Sequence, residues 1–201
     1  MEKISWDQVA ISIPYRAGQI TEKRMQKITD ELNAKDVKVS ASIRNSTDVV
    51  VFMLDDKGAC VITPESLSYN LPNTEDRFGV SERDLMAIID IMSLEDKNLY
   101  TINAQGTMPC EDSHNETREK FNQKHADILN EHEEVYGVGY RFLIRAEEYN
   151  GELKIEPLLS DCHRYYFQYI INTSEETTVN YLCDLAKSCL ENDISSLMES
   201  L

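Results

Sequence analysis

What this 201-residue chain lacks narrows its reading before any motif is sought. No apolar run approaches the ~20 residues a membrane helix needs. The opening "MEKISWDQVAISIPYR" has no central apolar region and no small-residue cleavage site, so no signal peptide is expected. The five cysteines, Cys60, Cys110, Cys162, Cys183 and Cys189, are odd in number and contain no Cys-x-x-Cys pair. That argues against a disulfide framework or a zinc knuckle and for reduced, buried thiols. Only seven glycines occur and none cluster. No Gly-x-Gly-x-x-Gly, Walker A or Gly-x-Ser-x-Gly pattern can be written, which excludes the common phosphate-cradling loop and nucleophile elbow. A cytoplasmic protein with no cofactor and no metal is the expectation.

Positive charge is also scarce. The chain has 20 basic and 36 acidic residues, a net charge of −16. Residues 1–100 carry 12 basic and 17 acidic side chains, and residues 101–201 carry 8 and 19, so the excess lies in the second half. Such a surface repels phosphate backbones and disfavours direct nucleic-acid binding. It favours a basic protein partner electrostatically.

Hydrophobic residues make up 41% of the chain, enough for a core. "VAISIPYR" (9–16) alternates as a strand. "TEKRMQKITDELNAKD" (21–36) reads as a helix with Thr21 as N-cap and Met25, Ile28 and Leu32 on one face. "VKVSASIR" (37–44) and "DVVVFMLDD" (48–56) are strands, and "ACVITPESLSYNL" (59–71) returns as one partner strand after the Asp56-Lys57-Gly58 turn. Ser81 is read as the cap of a helix carrying Leu85, Ile88, Ile89 and Met92. In the second half, 99–108 and 139–149 read as strands, with Asn150-Gly151 as a hairpin turn. The stretch 152–173 holds one or two more, and a last helix runs from about Glu175 to Met198.

The halves share an offset of 93 residues: Gly58 falls on Gly151, and Ile62-Thr63-Pro64 falls on Ile155-Glu156-Pro157. The expected fold is α+β, an internal duplication of a β-α-β-β-(β)-α unit. It would have a mainly antiparallel sheet with helices on one face, divided at 1–96 and 97–201 within one compact domain. Segment 37–44 breaks the match, because its counterpart, 130–137, looks helical.

"SHNETREKFNQKHADILNEHEEV" (113–135) is the second long helix. Ser113 and Glu116 fit a capping box. Positions 114, 118, 121, 125, 128, 132 and 135 share one face, so histidines interrupt its apolar stripe. His125 and His132 lie seven residues apart, about 10.5 Å along a helix, too far to chelate one ion. They are expected instead as a pH-sensitive packing pair. Glu131, Glu133 and Glu134 gather at the C-terminal end against the helix dipole, a placement that functional surfaces tolerate. "DCHRYYFQY" (161–169) is the densest aromatic patch, with Tyr165, Phe167 and Tyr169 on one side of a strand and Tyr166 and Gln168 on the other. Aromatics beside Arg164 suit a protein interface.

"GVGYRFLIRAEEYNGELKIEPLL" (137–159) resembles the strand of a sporadically distributed, uncharacterised bacterial protein family whose hallmark reads Gly-Leu-Arg-Tyr-Ile-Asn. The matching positions are Gly139, Tyr140, Arg141, Phe142, Leu143 and Ile144, and the final Asn is missing here. "VVVFMLDDKGACVITPESLSYNL" (49–71) resembles the family's mid-chain hairpin. The resemblance implies no activity, and no catalytic residue carries over from it.

The sequence thus points to a non-catalytic acidic binding protein, a regulatory or inhibitory factor of bacterial or phage origin. Its partner would be a basic, nucleic-acid-binding protein met through Glu131, Glu133, Glu134, Glu147, Glu148, Tyr165, Tyr166 and Tyr169. The C-terminal helix has enough apolar positions to serve a homodimer. The rival is a small-molecule or nucleotide sensor with its ligand in a groove between the halves. A cysteine hydrolase built on Cys110 or Cys162 with a histidine ranks last.

Overall fold

A computed structural model describes residues 4–45, 49–55, 58–72, 78–95, 97–131, 135–190 and 194. The chain is α+β. Its described residues form four helices and one nine-stranded antiparallel sheet. The first half runs β1 (Ser5–Pro14), α1 (Glu22–Ala34), β2 (Val39–Arg44), β3 (Val50–Leu54), β4 (Ala59–Ile62), β5 (Ser66–Pro72) and α2 (Phe78–Ile91). The second runs β6 (Thr101–Pro109), α3 (Ser113–Glu131), β7 (Tyr140–Arg145), β8 (Tyr149–Pro157), β9 (Arg164–Thr173) and α4 (Val179–Ser188). Across the sheet the order is β2-β3-β4-β5-β1-β6-β9-β8-β7. β1 and β6 are therefore the central pair, and each half spreads outward from it in the same sense.

The alternation legible in the strands sets the layers. Val9, Ile11 and Ile13 of β1, Ile102 and Ala104 of β6, and Phe167, Tyr169 and Ile171 of β9 are all essentially solvent-free. They point to the face that carries the helices, while the residues between them open on the other face. Matching cross-strand rows build the core. Ile11 pairs with Tyr69, Tyr69 with Cys60, and Cys60 with Phe52. In the second half Ala104 pairs with Tyr169, Tyr169 with Leu153, and Leu153 with Phe142. β2 has no counterpart among the described residues of the second half.

Two glycines exist because backbones or rings come close. β1 bulges between Trp6 and Gln8. At Gly106 of the facing strand, a Cβ would lie 2.4 Å from the Ser5 carbonyl oxygen and 3.0 Å from the Trp6 ring. At Gly151 a Cβ would lie 3.0 Å from the ring of the buried Tyr169.

Local chemistry starts and stops the helices. Thr21 caps α1 by accepting from the Arg24 N–H at 3.3 Å. α1 ends with Asp36 at φ 61°, and Val37 N–H reaches back to Leu32 O at 3.0 Å. α2 ends in the same way, with Ser93 at φ 55° and Leu94 N–H donating to Ile89 O at 3.0 Å. These ends turn the chain back to the sheet without glycine.

Several boundaries differ from the sequence reading. "ACVITPESLSYNL" is two strands, because Thr63 Oγ1 and Ser66 hydrogen-bond each other across a tight turn. α2 begins at Phe78, so Ser81 lies inside the helix instead of capping it. Asn150 and Gly151 lie within β8. The hairpin turns at 146–149, closed by Ala146 N–H to Tyr149 O at 2.9 Å. Val179, Leu182, Cys183, Leu185 and Ala186 of α4 are buried within the chain, where α4 packs on α2, so they offer no dimer face.

Candidate functional site

The first candidate surface forms where the register of β8 on β9 brings two loops together. Tyr149 pairs with Thr173, which places the β7–β8 turn beside the β9–α4 loop. Ser174 N–H donates to Glu148 O at 2.9 Å, and Asn150 Nδ2 donates to Ser174 Oγ at 3.3 Å. Glu147, Glu148, Glu175 and Glu176 are all exposed here. Two loops far apart in sequence thus bring four exposed glutamates to one end of the sheet. The Tyr181 hydroxyl of α4 is hydrogen-bonded to Glu148, which, with partial desolvation, pushes its ionisation up to about 12. Glu147 and Glu148 were expected at a partner surface. Glu175 and Glu176 were not, although the acidic run "SEETT" next to a helix start was visible.

The second candidate lies at the opposite end of β8. A cleft of about 390 Å³ is bounded by His114, Tyr136, Gly139, Glu156, Pro157 and Leu159 among others. The start of α3 forms one wall. Asp112, not Ser113, is its N-cap: Asp112 Oδ1 accepts from Asn115 N–H at 3.1 Å, and Glu116 Oε1 accepts from Asp112 N–H at 3.2 Å. The Asn115 amide holds the Asp112 carboxyl below its usual range. Ser113 is buried and instead donates from its N–H (2.7 Å) and its hydroxyl (3.0 Å) to Cys162 O, locking α3 to the β8–β9 connection.

This anchoring aims His114 into the cleft, where Nε2 lies 3.2 Å from Leu158 O. Nε2 is therefore the donor nitrogen, and Nδ1 is left as an acceptor. The Tyr136 ring stands edge-on to the imidazole with centroids 5.1 Å apart. The chain at 137–139 passes the end of β8 so closely that a Cβ on Gly139 would be 2.9 Å from Glu156 Cγ.

The other predicted residues are scattered. Tyr165 and Tyr169 are buried on the helix side, so they cannot meet a partner, and only Tyr166 faces the open side. Tyr165 donates to Glu116 at 2.7 Å, and burial together with that carboxylate pushes its ionisation well up. His125 is exposed at a break in α3, with φ −140° and ψ 39°, its ring 4.7 Å from that of Phe121. An exposed imidazole at a helix break is not the buried packing residue that the stripe implied. Glu131 closes α3, but its side chain, and His132, Glu133 and Glu134, lie outside the described residues.

The open face of the second half also departs from expectation. In place of an aromatic patch it carries a network in which Arg141 bonds Glu152 at 2.7 Å, Lys154 lies 3.4 Å from Glu152, and Lys154 donates to Gln168 at 3.2 Å.

Three of the thiols are poorly suited to nucleophilic chemistry. Burial pushes Cys60 and Cys183 up to about 12. Burial and the nearby Glu116 raise Cys110, whose thiol is turned to Cys162 O. A protonated thiol is a weak nucleophile. Among the described residues, no three His, Cys, Asp or Glu side chains converge as a metal set, and no helix is long and apolar enough to cross a membrane. The line between the halves is filled by β1 paired to β6 and by α2 against α4, where a ligand groove was expected. Neither the models of known protein families nor the curated proteins give a match to this chain.

Proposed function

We propose that this chain is a non-catalytic binding protein, regulatory or inhibitory in effect, that engages a basic protein partner through the paired loops at Glu147, Glu148, Glu175 and Glu176. One observation carries the reading: the bonds of Ser174 to Glu148 and Asn150 hold together two loops that carry four exposed glutamates. A cationic partner is complementary to such loops, and the chain's net charge of −16 steers it inward. Surfaces that bind basic, nucleic-acid-binding proteins need this chemistry, because the partner's phosphate site is itself cationic.

The same reading includes an internal duplication. The two rows, Ile11–Tyr69–Cys60–Phe52 and Ala104–Tyr169–Leu153–Phe142, support it, because each places a buried tyrosine on the second strand of its half and a phenylalanine on the fourth, counted outward from the central pair. The 93-residue offset that aligns Gly58 with Gly151 also aligns Cys60 with Leu153 and Ile11 with Ala104.

The test uses an arginine-rich peptide as probe, with binding followed by fluorescence anisotropy. Reversing Glu147, Glu148, Glu175 and Glu176 to Lys is expected to weaken binding by at least about a hundredfold at low salt, and added salt to weaken the native complex. Equal affinity for native and reversed chains would overturn the reading.

A further inference from the structure

The cleft at the start of α3 has a composition the acidic loops do not explain. Its polar groups are an exposed carboxylate, Glu156, and the Nδ1 of His114, and neither has a partner among the described residues. Its aromatic wall is Tyr136, 57% exposed. Its apolar edge is Pro157 and Leu159, the latter 79% exposed. An exposed leucine and tyrosine beside an unpaired carboxylate form an unusual surface, since each alone is normal but together they leave both apolar area and charge uncompensated.

We propose that this cleft binds a guanidinium group, carried by an arginine side chain of the basic partner, an identification that rests on the partner reading above. A guanidinium satisfies every feature at once. Its plane stacks on the Tyr136 ring. Its paired N–H groups suit the two oxygens of Glu156. A further N–H can donate to His114 Nδ1, which accepts because Nε2 is committed to Leu158 O at 3.2 Å. The methylene stem lies along Pro157 and Leu159. An ammonium satisfies the carboxylate but neither stacks nor bonds in pairs, so arginine is preferred to lysine.

The walls are set before binding. His114 is fixed by Leu158, Tyr136 rests edge-on against it at 5.1 Å, and the missing Cβ at Gly139 lets the Glu156 stem lie across the chain. Rigid walls reduce the ordering cost of capturing a long side chain. A cleft of about 390 Å³ has room for that side chain.

The experiment titrates the full chain with N-acetylarginine amide and N-acetyllysine amide, read by heteronuclear NMR, and then with the arginine-rich peptide. Saturable shifts confined to 114, 136–139, 156 and 159, with arginine bound at least a few-fold tighter than lysine, are expected. Glu156→Gln and Tyr136→Leu, both at exposed positions, should each weaken arginine binding about tenfold or more while the remaining spectrum stays native. Gly139→Ala, which displaces Glu156, should weaken it too. Absence of saturable shifts at tens of millimolar, or native affinity in Glu156→Gln, overturns the proposal. Two arms separate it from the partner reading. If the capped arginine binds but the peptide binds no tighter, the guanidinium site stands and the ligand is a free small cation. If the peptide is lost on reversal of the loop glutamates but unaffected by Glu156→Gln, the partner reading stands and the guanidinium site falls.

Discussion

The two halves of the sheet set a buried tyrosine at the same place and settle its hydroxyl in different ways. Tyr69 donates at 3.3 Å to Asp84 of α2, a buried carboxylate whose other oxygen takes the Arg83 guanidinium at 2.9 and 3.1 Å. Tyr169 lies 3.5 Å from the hydroxyl of Tyr149 on its own side of the sheet. Tyr69 thus ties sheet to helix through a charge, and Tyr169 reaches a neutral hydroxyl on the neighbouring strand. The outer phenylalanines differ as well. Phe52 is fully buried under β2, whereas Phe142 is half-buried on the edge strand β7. Apolar volume next to the central pair is kept in both halves, while polar bonding and edge cover are not. Packing density punishes a volume change anywhere in a core, but a hydroxyl needs only some partner.

The sharpest way to break this comparison is at the phenylalanines. Phe52→Ala should cost about 3–5 kcal/mol and Phe142→Ala less than half of that, measured by urea unfolding. Equal costs would mean that the β7 edge is as well covered as the β3 position. Next come the hydroxyls. Tyr69→Phe removes a bond to a charged, buried acceptor and should cost about 1.5–3 kcal/mol, against about 0.5–1.5 kcal/mol for Tyr169→Phe. A reversal of that order would show that the Asp84 contact is not a stabilising one. Gly151→Ala forces a Cβ against the Tyr169 ring and should cost about 1–3 kcal/mol, with Tyr169→Phe in the same chain recovering part of it.

The smallest effect is the acid response. Asp112 and Glu152 both ionise below their ordinary values of 3.8 and 4.5, Asp112 because of the Asn115 amide and Glu152 because of Arg141. A lowered carboxylate pKa adds stability that is present above the unfolded value and drains as pH falls through the folded one. Both groups lie in the second half, so acid should loosen α3 and β7–β8 first. Hydrogen exchange at pH 3 against pH 6 would show it, and equal loss of protection in both halves would refute it.

Much of this frame was legible because strands and helices differ in period. The split of "DCHRYYFQY" into two sides was correct in the sequence, with Tyr165, Phe167 and Tyr169 together. Which side is covered depends on where the helices pack, and no local pattern encodes that. The same limit hid the meaning of Asn150-Gly151. Its glycine answers a ring on a neighbouring strand, but the dipeptide looks like turn chemistry. Ser113 fits a capping box, and Asp112 before it is an equally good cap residue type. The choice fell to Ser113's tertiary bond with Cys162, which withdrew it from capping. The anionic loops were half visible, since Glu147 and Glu148 stood out but the register that adds Glu175 and Glu176 did not.

The position of β1 has a consequence for how the chain is made. Val9 pairs on one side with Leu71 and on the other with Ala104, so β1 waits for two segments made at different times after it. Its β5 side can be covered once Pro72 is made, but its β6 side stays bare until Thr101–Pro109 follow, and a bare edge is a template for a foreign strand. Pairings this distant in sequence also slow the search for the native state. The seam between the halves is thus also the step at which synthesis, collapse and aggregation compete. A chain released before Thr101 would present that seam to its neighbours.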